Sequence, residues 1–187
     1  MLPEFSGFDP FFSSSFSEIN INRSELLELA NIYGEAFSGA PWFESWSEQD
    51  ALLELAQYLS EAKFIVKRGE DGNTLGFGIG LALKDYVGLE DFVSLGFVAP
   101  ESAPRTFYIA ELCTKKEARG RGVCTAVVQE LVSTARDNGY QNIITRTRSD
   151  NYGMIRIFEK CGFKQLGSSL VETGGISSER VILSRPT

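Results

Sequence analysis

Hydrophobic and polar positions change period repeatedly along the chain, and each change predicts an element. Residues 17–22, Ser-Glu-Ile-Asn-Ile-Asn, alternate as a short strand does, and Asn22 or Ser24 can cap a helix starting there. Leu26, Leu27, Leu29, Ala30, Ile32 and Tyr33 then recur at helical spacing until Gly39-Ala40-Pro41 enforces a turn. A second helix is predicted over 47–60, with Leu52, Leu53, Leu55 and Leu59 inside and Ser47 and Asp50 in a capping arrangement. Residues 63–68 and 74–84 read as two strands around the turn 69–73. Gly76, Gly78 and Gly80 share one face of the second strand, a pattern that marks close approach by a ligand or another backbone, or a bend.

Residues 86–105 form a long, partly apolar connection with Pro100 and Pro104, and loops of such length tend to be functional or disordered. A strand is predicted over 106–114. Val123, Val127, Val128, Leu131, Val132 and Ala135 predict a helix that stops at Asn138-Gly139, and 142–147 reads as another strand. Asn151 caps or begins a helix carrying Ile155, Ile157 and Phe158, which Gly162 ends. Residues 163–166 and 180–183 finish the sheet, with Gly174-Gly175 as their turn. No internal repeat is evident.

The length of 187 residues suits one domain with a terminal extension. Residues 1–16 carry five phenylalanines among prolines, acids and serines, and read as an extended arm over an apolar patch of the domain 17–187; a homodimer contact is the alternative. Cys113, Cys124 and Cys161 lack C-x-x-C spacing, so reduced thiols in a cytoplasmic compartment are expected, and neither a disulfide framework nor a metal site. There is no histidine, which excludes Ser-His-Asp, Cys-His and H-E-x-x-H chemistry and leaves acid-base work to carboxylates, tyrosine, lysine or water. A net charge of −7 argues against nucleic acid as a partner and mildly favours cationic substrates. No membrane span or signal peptide is expected, because no apolar run is long enough and the start is not basic.

The candidate chemistry begins at Arg119-Gly120-Arg121-Gly122-Val123-Cys124, a basic, glycine-rich run at the mouth of a predicted helix. Free N–H groups in a helix's first turn, with the positive end of the dipole behind them, suit an anion such as a pyrophosphate. Glycines let the backbone come close and take up positive φ, while Lys115, Lys116, Arg119 and Arg121 surround the loop with charge. A solvated turn capping an ordinary helix is the plainer reading of these residues. A Walker loop is absent, and Thr125 stands where a dinucleotide fingerprint needs its third glycine.

Taken with Asn151 and the string Phe158-Glu159-Lys160-Cys161-Gly162-Phe163, the loop resembles the paired signatures of the GNAT superfamily of acetyl-CoA-dependent N-acetyltransferases, Q/R-x-x-G-x-G/A and Asn followed by Tyr-Glu-Lys-x-Gly-Phe. The resemblance covers most of the chain. It implies an α/β (α+β) GNAT fold, a mixed, mostly antiparallel, V-splayed sheet of about six to seven strands flanked by about four helices. It also implies that backbone groups of Leu112, Cys113 and Thr114 pair with pantetheine, and that Arg119, Gly120, Arg121, Gly122, Val123, Cys124 and Thr125 hold the pyrophosphate. Asn151 would touch the pantetheine arm, and Phe158 takes the place of a tyrosine that protonates the leaving thiolate in many members. Cys124 replaces the loop's last small residue, with a nucleophilic role as the alternative to mere crowding.

On the same analogy the activity is transfer of acetyl from acetyl-CoA, without metal, to a primary amine of a small molecule or peptide. A non-catalytic acyl-CoA-binding module is the rival. Glu111 is the expected general base, with a salt-bridged or surface glutamate as its plainer reading, and the N–H of Leu112 the expected oxyanion donor. With Phe158 lacking a hydroxyl, the thiolate's proton falls to Tyr152, Tyr108 or water. Trp42, Phe43, Glu44 and Trp46, between the first two helices, are the expected acceptor wall, suited to a cation with an apolar body; packing of the turn explains the tryptophans equally well. The 86–105 connection is a second candidate wall.

Overall fold

Helix α1 (Arg23–Ser38) starts at Asn22, whose side chain accepts from the Glu25 N–H at 3.0 Å while Glu25 accepts from the Asn22 N–H at 3.1 Å, a complete capping box. Helix α2 (Glu48–Ala56) starts on Ser47, which accepts from the Asp50 N–H. Strands β1 (Phe16–Glu18), β2 (Lys63–Arg68), β3 (Thr74–Ala82), β4 (Thr106–Thr114), β5 (Asn142–Arg148), β6 (Lys164–Thr173) and β7 (Ile176–Pro186) and helices α3 (Leu89–Ser94), α4 (Val123–Asp137) and α5 (Tyr152–Lys160) complete the elements of the computed structural model. It describes residues 16–18, 21–173 and 176–187. The Phe-rich stretch up to residue 15 and the Gly174-Gly175 turn lie outside the described residues.

The seven strands form one sheet in the order β1-β2-β3-β4-β5-β7-β6. All neighbours are antiparallel except β4 and β5, which α4 connects as a crossover between parallel strands. That parallel pairing runs only from Thr106↔Asn142 to Ile109↔Thr145. Beyond it the two strands part, so the β5-facing edge of residues 110–114 has no ladder partner. A register shift between Ile79 and Gly80 opposes Ile79 to Glu111 and Gly80 to Ile109, leaving Ala110 as the extra residue of a β-bulge at the mouth of the opening.

Two apolar clusters cover the sheet, one per face. Leu29, Tyr33, Leu55, Phe77, Phe92 and Tyr108 belong to the α1/α2 face, and Phe107, Val127, Leu131, Ile143, Phe158 and Phe163 to the α4/α5 face. The β3 glycines explain how α4 comes so close: a Cβ on Gly78 would lie 2.7 Å from Val127 and 2.8 Å from Leu131, and one on Gly80 would strike the Phe107 ring. The trough in this strand therefore accommodates a helix and not a ligand.

Three expectations change. Residues 86–105 are not a bare loop: α3 and a 3₁₀ segment (Pro100–Arg105) occupy much of the span, with Phe92 and Ala103 buried. This adds a fifth helix among the described residues. Strands β6 and β7 outrun the predicted 163–166 and 180–183, because Gly167, Ser168 and Ser169 dilute the alternation where the hairpin is largely exposed. The second helix ends at Ala56 rather than 60, and Leu53 and Leu59, expected inside, are both exposed. No helix among the described residues is long and apolar enough to cross a membrane.

Candidate functional site

The Arg-Gly loop folds as its composition demands. Gly120 and Gly122 have φ of +75° and +78°, left-handed values that glycine adopts without strain, and Gly122 is the N-cap of α4 with no side-chain cap. The first turn of this 15-residue helix thus presents N–H groups of Val123, Cys124 and Thr125 with no capping side chain. Arg119 and Arg121 are exposed beside it, and Arg119 Nε donates to the Thr114 carbonyl at 3.3 Å, tying the loop to the end of β4. Cys124 packs its sulfur 3.6 Å from that of Met154, and burial pushes its thiol up to about 12, so it stays protonated and unsuited to nucleophilic attack.

Where β4 and β5 part, a cavity of about 330 Å³ opens. It reaches from α5 on one face of the sheet, at Asn151, Met154 and Phe158, through the opening to Trp42 and Tyr33 on the other. Of the expected residues, Glu111, Leu112, Asn151, Phe158, Trp42, Glu44 and Trp46 line it. Phe43 does not: at φ 52° it turns outward and is three-quarters exposed. The Arg119–Thr125 loop lies outside this cavity, at the N-terminus of α4. Asn151 also caps α5, accepting from the Met154 N–H at 3.4 Å and donating to Thr147 Oγ1 at 3.3 Å.

Glu111 comes directly after the bulge and points to the α1/α2 face, where the Tyr58 hydroxyl donates to its Oε1 at 3.3 Å. Burial, reinforced by the Glu54 carboxylate, pushes the Glu111 carboxyl up to about 8; the Tyr58 hydrogen bond opposes the rise, Glu44 adds to it and Arg146 opposes it. It forms no salt bridge among the described residues and is only partly exposed. Glu54 is itself raised, first by burial. Tyr108, fully enclosed, has its hydroxyl pushed well up by burial, and Tyr152 is three-quarters exposed and does not reach the cavity.

The aromatic wall is interlocked. Trp46 packs edge-on against Tyr33 at 5.0 Å and donates its indole N–H to Glu44 at 2.9 Å, while Trp42 lies 5.1 Å from Phe37. Opposite them stand arginines that motif reading missed. Arg146 donates to Asp91 at 2.9 Å and to the Tyr86 hydroxyl at 2.7 Å, and the Arg180 guanidinium sits 4.6 Å over the Trp42 ring. Alternation in β5 was the available signal: Ile144, Arg146 and Arg148 share one face, and Arg148 pairs directly with Arg180 of β7. Glu54 on α2 and Tyr58 just after it carried no sequence signal for their part in setting Glu111.

The sequence profile of the Acetyltransferase (GNAT) family matches residues 26–163, which span both the Arg-Gly loop and the α5 string. The chain belongs to this family. Over 78 residues it is 32% identical to GCN5-related N-acetyltransferase 6, chloroplastic, of Arabidopsis thaliana, covering 42% of this chain and 25% of that protein. Over 56 residues it is 36% identical to N-alpha-acetyltransferase 30 of Schizosaccharomyces pombe, covering 30% of this chain and 37% of that one. The chain thus aligns with well under half the length of these curated relatives. The fold is shared with solved structures: ribosomal-protein-alanine N-acetyltransferase from Brucella melitensis has a TM-score of 0.70 at 15% identity, covering 92% of this chain and 99% of that one. A GNAT superfamily phosphinothricin acetyltransferase from Sinorhizobium meliloti, solved with AcCoA, gives 0.69 at 19% identity, covering 93% and 88%.

The residues present fit the cofactor that GNAT membership implies. An uncapped helix start flanked by two arginines suits a pyrophosphate, and the unpaired edge of residues 110–114 offers backbone groups to an amide-bearing arm. Phe158, where the resemblance expects a tyrosine, is 2% exposed, lines the cavity and packs edge-on to Phe163 at 5.1 Å.

Proposed function

We propose that this GNAT protein is an acetyl-CoA-dependent N-acetyltransferase that acts on a primary amine, with Glu111 as general base. The observation that carries the reading is Glu111 itself, a carboxylate at the bulge of the splayed strand, lining the cavity, with a pKa near 8. The names of the similar proteins, N-acetyltransferases and an acetyltransferase, support the reaction class.

Acetyl-CoA supplies an activated acetyl thioester. The loop Arg119–Thr125 and the edge of Leu112, Cys113 and Thr114 hold it, with Asn151 against the pantetheine arm. An acceptor with a lysine-like pKa of ~10.4 is neutral in about one molecule per few thousand at pH 7, a penalty of about 4–5 kcal/mol that a base must offset. Glu111 takes that proton; with a pKa of about 8 it is half ionised at pH 8, and its carboxylate is a stronger base than that of an ordinary glutamate. The Leu112 N–H supplies the hydrogen bond to the carbonyl oxygen. Trp42, Glu44 and Trp46 form the acceptor wall, and the leaving thiolate, with a pKa of about 8.5, takes its proton from water and needs no hydroxyl at position 158.

Incubation with acetyl-CoA and a panel of primary amines tests the reading, with free CoA and acetylated product both measured. Amine-dependent CoA release is expected. Calorimetric binding of acetyl-CoA with no turnover on any amine would favour a non-catalytic acyl-CoA-binding module, and absence of binding would overturn the donor assignment.

A further inference from the structure

The acceptor end of the cavity carries a cation with no ion-pair partner among the described residues. Arg146, Arg148 and Arg180 share the face of β5 and β7 that looks toward α1 and α2, and Arg148 and Arg180 are direct cross-strand partners, an arrangement that repels. Two of the three are neutralised. Arg146 is held by Asp91, and Arg148 by Asp150 through two hydrogen bonds of 2.9 and 2.7 Å. Arg180 has no hydrogen bond or ion pair among the described residues; its guanidinium lies over Trp42, 4.6 Å from the ring centroid, and lines the cavity. Glu44, which also lines the cavity, forms no ion pair with it and accepts instead from the Trp46 indole, while Asp150, whose carboxyl Arg180 helps to hold low, is paired with Arg148.

Burial, then the neighbouring guanidinia of Arg146 and Arg148, depress the Arg180 pKa, and Glu44 offsets only part of this. A half-buried, unpaired guanidinium is costly, and cation–π stacking returns only part of that cost. An anion arriving in the cavity would recover the rest, and the fork of an arginine is shaped for a carboxylate.

We propose that Arg180, oriented by Trp42 and with Arg148 behind it, is the anion subsite of the acceptor pocket, so that the acceptor is a small primary amine carrying its own carboxylate, a free amino acid. This rests on the acetyltransferase reading above and names its substrate class. The same cavity then holds both ends of one small molecule, amine toward Glu111 and carboxylate toward Arg180. It replaces the expected cation with an apolar body: the aromatic wall engages a protein arginine, so that the Arg180 guanidinium lines the cavity together with the Glu44, Glu54 and Glu111 carboxyls.

Each L-amino acid paired with its own α-carboxamide is the test, since the two differ in charge and hardly in shape. Because the carboxamide's amine is also more acidic, the informative quantity is the acid-to-amide ratio in the wild type divided by that in Arg180→Gln. For at least one amino acid this quotient is expected to be about tenfold or more, the size of one charge-assisted hydrogen bond, with acetyl-CoA affinity unchanged. Arg180→Lys, which keeps the charge and loses the fork, should retain part of it. Calorimetric binding of the same pairs to CoA-saturated protein reads the subsite without chemistry. Binding that prefers the acid and depends on Arg180, without turnover, would keep the subsite and reject the enzyme reading. An acid-to-amide ratio unchanged in Arg180→Gln in both assays, while the variant retains the wild-type melting temperature, would overturn the proposal.

Discussion

The two ends of the site are built on opposite plans. The donor end is one contiguous stretch, Arg119 to Thr125, whose offering is backbone: glycines at positive φ, a helix start and exposed arginines beside it. The acceptor end is assembled from α1, α2, the segment between them, β4, β5 and β7, and what it offers is side chains with perturbed charge, Glu111 held high and Arg180 held low. A backbone site recognises a common cofactor and tolerates change in the side chains around it. Partly buried charges that depend on distant neighbours are where selectivity and chemistry can be tuned separately, and single substitutions should separate the two ends.

The largest expected effect is at the acceptor end. Glu111→Gln keeps the shape and the Tyr58 contact but removes the base, and kcat should fall by about 10² or more while acetyl-CoA affinity holds. Steady-state kinetics alongside calorimetry reads both. If affinity fell in proportion, the two ends would not be separate.

At the donor end, Arg119→Glu should show the converse. Reversing a charge beside the pyrophosphate position removes a charge-assisted hydrogen bond worth about 1.5–3 kcal/mol, so acetyl-CoA binding should weaken by about tenfold to a hundredfold. Turnover at saturating donor should stay near wild type. Unchanged affinity by calorimetry would remove the loop from the donor site.

The smallest effect sharpens the acceptor side alone. Glu54 is the leading charged contributor to the high Glu111 pKa. In Glu54→Gln that negative neighbour is gone, the Glu111 carboxylate forms more readily, and the rising limb of the pH–rate profile should move to lower pH by roughly half a unit or more. A limb that moved to higher pH would mean that Glu54 acts on some other group.

The same contrast explains what was legible in the chain. Local signals carried the donor end and the helix boundaries at both ends: the Arg-Gly loop, the stop at Gly139 and the helix caps at Asn22, Ser47 and Asn151 all depend on residues within a turn of one another. The splay between β4 and β5 was implied by family resemblance, but the bulge at Ala110 was not, since 106–114 holds no glycine, proline or asparagine to mark one. The contact between Tyr58 and Glu111 joins residues 53 apart in sequence, and α2 fixes it through packing that has no motif. Phe43 misled for the opposite reason: it sits among residues that do line the cavity, but its backbone takes a positive φ that turns it outward. Arg146 and Arg180 were visible as alternating strand positions, and only the pairing of β5 with β7 makes them one cluster.

The central claim is that Glu111 works as a base because its surroundings hold its pKa near 8. The direct test is kcat against pH at saturating donor and acceptor for the wild type and Glu111→Gln. Since the ionised carboxylate is the active form, the wild-type rate should climb as pH rises and level off above about 8, and the variant should lack that limb. Superimposable profiles, or a wild-type limb centred in the ordinary carboxylate range near 4.5, would contradict it.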